Sequence, residues 1–201
     1  MCWNAEVSLQ SFLIGITAVF VGYQNGLSIP VTLFCLTIVF MQLIEYLVWS
    51  SLGNERANFR YSVLASSLLW LQPVASILTL PKSWIPNAIG SYVGLSFLGS
   101  LLNKDPMKET YRMYKGENGH LVWSWLKKDL KTAISLLVYF IFLLGPLVLR
   151  KEWTLLSIAL ATLAGSLYSF YEYNTWGSMW CWFVNYMVVG VAGYQVLVAK
   201  P

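Results

Sequence analysis

Two carboxylates of this 201-residue chain share an unusual context: Glu45 heads Glu45-Tyr46-Leu47-Val48-Trp49, and Glu172 heads Glu172-Tyr173-Asn174-Thr175-Trp176. Glu45 stands in a long apolar run, and Gln42, three residues earlier, shares its helix face with Trp49, four residues later. A carboxyl in such a run has two readings. It is either neutral and donates a structural hydrogen bond, or it handles protons or cations, the default for an ionisable group inside a membrane. Gln72, Trp70 and Asn185 also interrupt apolar stretches and are candidates, with Gln42, Glu45 and Glu172, to line a polar interior that binds an ion or a substrate. His120 and Cys2 lie outside such stretches and are candidates for a mouth or gate. For His120 the alternative is a turn histidine bonded to backbone or water.

Other chemistries have no support. The single His excludes a His-rich metal or haem site, and nothing in the spacing of Cys2, Glu45, His120 and Glu172 demands a metal. Cys2, Cys35 and Cys181 form no paired spacing, so no disulfide framework is expected. Lys131 and Lys200 sit at the edges of apolar runs, which argues against a retinal Schiff base. Neither a phosphate loop nor a nucleophile elbow occurs, and no cofactor is expected. The net charge of +4 does not indicate a nucleic-acid partner, because most of the basic residues fall in one connecting segment.

The elements that must hold these residues follow from composition. The chain is 57% hydrophobic and 11% charged, against roughly 25% charged in a soluble domain. Aromatics reach 16%, with 10 Trp and 12 Tyr, which suits many membrane–water boundaries. Seven apolar stretches qualify as spans: Val7–Tyr23, Ile29–Leu52, Tyr61–Leu80, Trp84–Leu102, Leu130–Leu149, Trp153–Tyr173 and Ser178–Ala199. The expectation is therefore an all-α, polytopic bundle of about seven transmembrane helices forming one domain in the lipid bilayer. Nothing before Val7 resembles the n-region and cleavage site of a removed signal peptide, so the first span is expected to stay. Pro73 falls inside the third span and should kink it, freeing a carbonyl near Leu69. Trp49, Trp84, Trp153, Trp176, Trp180 and Trp182 near span ends are expected mostly to be interfacial anchors.

Asn103–Lys127 is the one sizeable polar segment. Thr110–Lys115 and His120–Trp125 flank Gly116-Glu117-Asn118-Gly119 and predict a β-hairpin over one mouth of the bundle. The two Glu-Tyr-x-x-Trp segments hint at an internal repeat, residues 1–80 and 128–201 around a linker span 84–102, of the kind found in transporters. Ser157, Ala161, Gly165 and Ser169, and likewise Gly90 and Gly94, recur every four residues and predict close helix packing. The expectation is contact within the bundle, with a homo-oligomer as the alternative.

Several segments also resemble an uncharacterised family of small multi-pass membrane proteins from bacteria and large DNA viruses. Family members open with Met-Cys-Trp/Phe-Ser/Asn, matched by Met1-Cys2-Trp3-Asn4. Met41-Gln42-Leu43-Ile44-Glu45, the loop Gly53-Asn54-Glu55-Arg56-Ala57-Asn58, Gln72-Pro73 and His120-Leu121-Val122-Trp123 resemble further family segments. Leu52 replaces the family's Cys before the loop glycine, and no His stands ahead of Gln72-Pro73. The resemblance thus implies membrane topology and no particular activity.

Taken together, the residues predict a small transporter or channel-like protein with Glu45 as its ionisable centre and a proton or small ion as its cargo. The alternatives are a membrane-embedded enzyme acting on a lipid or small molecule, and a structural or partner-binding component. Arg56, Arg60, Lys104, Lys108, Arg112, Lys115, Lys127, Lys128 and Lys131 fall on one side of a seven-span topology, against Lys82, Arg150, Lys151 and Lys200 on the other. The cation-rich side is cytoplasmic by the positive-inside rule, which puts the N-terminus and residues 103–127 inside and the C-terminus outside. A Cys placed at position 117, with Cys2, Cys35 and Cys181 replaced by Ser, should react with impermeant maleimide from the cytoplasmic face. Reaction only from the opposite face would reverse the topology.

Overall fold

The computed structural model describes residues 4–101 and 111–198. Cys2, Thr110 and the last residue of the seventh expected span, Ala199, lie outside them. Seven helices occur among the described residues: α1 (Ala5–Gln24), α2 (Ile29–Trp49), α3 (Glu55–Ile77), α4 (Ile85–Leu101), α5 (Leu130–Leu149), α6 (Trp153–Phe170) and α7 (Trp176–Leu197). A two-stranded sheet, β1 (Met113–Lys115) and β2 (Leu121–Trp123), lies between α4 and α5. Five helices, α1, α2, α5, α6 and α7, are long and apolar enough to cross a membrane. The chain is thus a polytopic helical membrane protein. α3 has 23 residues, but its first two turns hold Glu55, Arg56 and Arg60, and α4 has 17.

Helix starts follow local chemistry. Asn4, Asn54 and Asp129 each accept a hydrogen bond at a side-chain oxygen from the backbone N–H three residues on: Val7 at 2.8 Å, Ala57 at 3.1 Å and Thr132 at 2.7 Å. Such caps satisfy amides that a helix leaves open. The Asn54 cap explains why α3 begins at Glu55 and not at Tyr61, as hydropathy alone predicts. At the other ends, α2 stops at Trp49, short of Leu52, and α6 stops at Phe170, short of Tyr173.

Helix contacts trace a circuit α1–α2–α3–α5–α6–α7 and back to α1, braced across by α2 on α7, while α4 leans on α3 and α5. Ser8, Ser11, Gly15, Val19 and Gly22 form the buried face of α1. A Cβ at Gly15 would lie 2.5 Å from Asn185 Oδ1 and 2.9 Å from a Val39 methyl. This is the close small-residue contact of the bundle, and it joins α1 to α2 and α7. The small-residue rows expected to pack internally do not do so. Ser157, Ala161, Gly165 and Ser169 on α6, and Gly90 and Gly94 on α4, are exposed. Spacing identified a row of small side chains but could not tell which side of the helix the bundle would use.

Both helix-interior prolines are bridged by a neighbouring helix. Tyr92 Oη donates to the Trp70 carbonyl at 3.1 Å, three residues before Pro73. Ser76 Oγ donates to the Leu143 carbonyl at 2.8 Å, three residues before Pro146. A proline disturbs the helix ladder just behind it, and in an apolar bundle the loosened carbonyls must be satisfied by protein. The sequence placed the freed carbonyl of α3 near Leu69, one residue away, and did not single out Pro146.

Gly15→Val should destabilise the protein by about 1–3 kcal/mol through overpacking, seen as a lower thermal midpoint in detergent. Gly94→Ala, where an added Cβ meets nothing within 4 Å, should leave the midpoint unchanged or raise it slightly.

Candidate functional site

The hairpin end of the bundle is built from the start of α3. Met113, Tyr114 and Lys115 pair antiparallel with Trp123, Val122 and Leu121. The pairing continues outward, since Arg112 N–H donates to Ser124 Oγ at 2.8 Å and Ser124 N–H to the Arg112 carbonyl at 3.0 Å. Asn58 of α3 then acts as a short third strand. Its Nδ2 donates to the Met113 carbonyl at 2.9 Å, and its Oδ1 accepts from the Met113 N–H at 3.4 Å. An exposed Arg112–Glu55 ion pair of 2.7 Å lies beside it. The hairpin buries Met113, Leu121 and Trp123 in one apolar cluster with Met41, Ile44 and Val48 of α2, Ala65 of α3, and Trp176 and Cys181 of α7. The expected cap over one mouth is therefore present, spanning three helices.

That cap changes the environment of several tryptophans. Trp176 and Trp180 are 6% and 5% exposed, so they are core residues and not interfacial anchors. Trp84 and Trp153 are more than half exposed, as anchors should be. Gly177 permits the covering, because a Cβ there would lie 2.7 Å from a Leu126 methyl and 3.1 Å from the Trp123 ring.

The polar candidates fall on several different elements. Glu45 and Gln42 are fully buried in α2, with Gln42 Nε2 donating to Glu45 Oε2 at 3.4 Å. Gln72 instead joins two other helices: its Nε2 donates to the Thr37 carbonyl at 3.1 Å, and its Oε1 accepts from Tyr139 Oη. Asn185 is fully buried at the α1 contact, where its Nδ2 donates to the Ser11 carbonyl at 2.9 Å. Glu172 is exposed in the turn between α6 and α7, where its backbone carbonyl accepts from Lys128 Nζ at 3.0 Å. It therefore lines no interior, contrary to expectation, because α6 ends two residues before it. The two Glu-Tyr-x-x-Trp segments occupy unlike places: the first lies inside α2, and the second crosses a turn to the start of α7. His120 is buried in the hairpin turn, with its ring edge-on to Phe170 at 5.4 Å and its carbonyl accepting from the Gly116 N–H at 2.8 Å. Cys2 lies outside the described residues. Among the described residues no group of three His, Cys, Asp or Glu could hold a metal.

A cavity of about 680 Å³ does gather residues from several elements. Its walls come from α3 (Ser66, Leu69, Trp70), α4 (Tyr92, Leu95, Ser96, Gly99) and α5 from Leu130 to Phe140. Trp123, Trp125 and Leu126 of the hairpin and Trp176, Trp180 and Cys181 of α7 close its inner side. Glu45 and Gln42 are not part of this wall. Trp70 is, as a half-exposed side chain at 45%, tilted against the Tyr92 ring at 6.2 Å. The wall residues Leu95 and Ile134 are 47% and 51% exposed, so the cavity opens at the side of the bundle between α4 and α5. The stretch from Leu130 to Phe140 corresponds to about 15 Å of helix, half of a hydrocarbon core of ~30 Å.

Lys127, Asp129, Lys131 and Thr132 line the cavity's polar end. The hydrogen bonds from Thr132, first that of its backbone N–H, hold the Asp129 carboxyl below the ordinary carboxylate value, and Lys127 and Lys131 add to the effect. The sequence flagged Trp70 of these walls but not the cavity, whose residues are scattered over four helices and a hairpin. No protein-family model, no curated protein and no solved structure matches the chain.

Asn58→Ala leaves the buried Met113 N–H and carbonyl without their α3 partner, which costs about 1–3 kcal/mol for each buried group. Hydrogen–deuterium exchange should speed up in residues 111–125 while α1 and α7 keep their protection. Unchanged exchange in the hairpin would show that Asn58 does not hold it.

Proposed function

We propose that this integral membrane protein binds an amphiphilic molecule drawn from the bilayer into the cavity between α3, α4 and α5. The observation that carries the reading is a cavity that is aromatic within, opens between apolar helices and ends at a charged rim. Its volume of about 680 Å³ falls in the range of roughly 300–1,000 Å³ typical of ligand sites. The occupant enters sideways from lipid, so its apolar part never crosses water.

The cargo reading centred on Glu45 rests on less. Its expected partner Glu172 is exposed, and Gln72 is engaged with Thr37 and Tyr139. Glu45 remains a fully buried carboxyl inside the packed bundle. An amphiphile in the cavity fits both of the more specific expectations from the sequence, a small transporter and a membrane-embedded enzyme acting on lipid. It gives each of them a substrate class.

Gly99 and Ser135 offer the test, because they face each other from α4 and α5 and a Cβ at Gly99 would sit 3.7 Å from Ser135 Oγ. Gly99→Phe and Ser135→Phe should each fill the cavity without disturbing the buried α1–α2–α7 contacts. Native mass spectrometry of protein extracted from defined bilayers should show retained lipid on the wild type and about tenfold less on each variant, a change of ~1.4 kcal/mol. Equal retention by well-folded variants, judged by an unchanged thermal midpoint, would overturn the proposal.

A further inference from the structure

We propose that Trp180 sets the length of the occupant: it closes the inner end of the cavity, which admits an amphiphile whose acyl chain stops short of that ring and refuses longer ones. This rests on the cavity reading above and adds which chains the cavity takes. A second void, of about 20 Å³, lies behind the first, and Trp180 and Cys181 line both. At that size it has room for about one water molecule, so no chain occupies it while Trp180 is in place. Its further walls include Ile38 of α2, Leu143 and Leu147 of α5, and Val184 and Met187 of α7.

The two voids follow one another along the same helices. α3, α5 and α7 all start at the hairpin end: α3 through Asn58, α5 shortly after β2, and α7 beneath Trp123 and Leu126. Moving away from that end, the wall on α5 passes from Leu130–Phe140 in the cavity to Leu143–Leu147 in the second void. On α7, Trp176 and Gly177 give way to Val184 and Met187, and on α3, Ser66 and Trp70 give way to Gln72. The passage so outlined corresponds to ~25 Å of α5, against about 15 Å in front of Trp180. Trp180 stands at the break. It is 5% exposed, its Nε1 donates to the Ala159 carbonyl of α6 at 3.4 Å, and its ring meets Phe140 edge-on at 5.3 Å. The ring is thus fixed between α5 and α6. At the same level Tyr139 of the cavity wall donates to Gln72 of the second void and closes the passage toward α3. The polar groups of the cavity wall near Asp129 and Thr132 take the polar part of an amphiphile, so its chain points at Trp180. Methylenes beyond that depth find no apolar space inside the protein, whereas the bilayer still accepts them. Lipid therefore competes more strongly for each longer chain.

The test uses the full chain in nanodiscs of one fixed composition, given an equimolar trace of lysophosphatidylcholines that differ only in their saturated chain, from lauroyl through myristoyl and palmitoyl to stearoyl. Native mass spectrometry of the released protein identifies each retained chain by its mass. The wild type should retain the shorter chains and lose about fourfold in occupancy for each methylene beyond a cutoff, the equivalent of ~0.8 kcal/mol. Trp180→Leu should raise the stearoyl-to-lauroyl ratio about tenfold, a change of ~1.4 kcal/mol. Phe140→Leu, which removes the ring that props Trp180, should shift the ratio the same way by less. Gly99→Phe should reduce retention of every chain alike. The absence of a cutoff in the wild type, or an unchanged ratio in folded Trp180→Leu, overturns the length inference while the cavity reading stands. If Trp180→Leu does not fold, Phe140→Leu decides, and an unchanged ratio there overturns the inference in the same way. If Gly99→Phe leaves retention of all chains intact, the cavity reading itself fails.

Discussion

Polar groups inside an apolar bundle must find partners within the protein, because the surrounding hydrocarbon offers none. In this chain that requirement decides which helices touch. Asn185 reaches the Ser11 carbonyl, Gln72 links Thr37 to Tyr139, and Ser76 and Tyr92 reach carbonyls loosened near Pro146 and Pro73. These five bonds join α1 to α7, α2 to α3, α3 to α4 and, twice, α3 to α5. Apolar contact alone would not favour one such arrangement over another, since lipid chains solvate Leu and Val as well as a protein interior does.

The same requirement explains how a hairpin of two three-residue strands can be held so firmly. A two-stranded sheet is marginal on its own. Here Asn58 supplies the missing edge partner, and Met113, Leu121 and Trp123 are buried against α2, α3 and α7. The hairpin in turn covers the start of α7, which makes Trp176 a core residue and requires a side chain no larger than hydrogen at position 177.

The cavity is the counterpart of that packing. α4 touches α3 and α5 but takes no part in the closed circuit of the other six helices. Its larger side chains Tyr92 and Leu95 meet α3 and α5 across a gap, whereas Gly90 and Gly94 face outward. The gap is lined by rings and ends at charged groups.

The helical membrane class, the number of helices and the hairpin were legible in the sequence because each depends on local order. Runs of apolar residues near the thickness of a bilayer, and two β-prone stretches around Gly116–Gly119, need no knowledge of distant contacts. Helix starts such as Ile29, Leu130 and Trp153 matched the starts of apolar runs, whereas hydropathy began α3 late, at Tyr61, by overlooking the Asn54 cap, and carried α6 past its end to Tyr173. Burial of Glu45, Gln42 and Asn185 followed from their apolar neighbours. What each one meets did not, because partners such as Ser11, 174 residues from Asn185 along the chain, are set by which helix lies beside which. The exposure of Glu172, the outward turn of the small-residue rows and the cavity between α3, α4 and α5 were all decided in tertiary structure. Periodicity names the residues on a helix face, but only the packing of whole helices, driven by the pairing of their few polar groups, chooses which face turns inward.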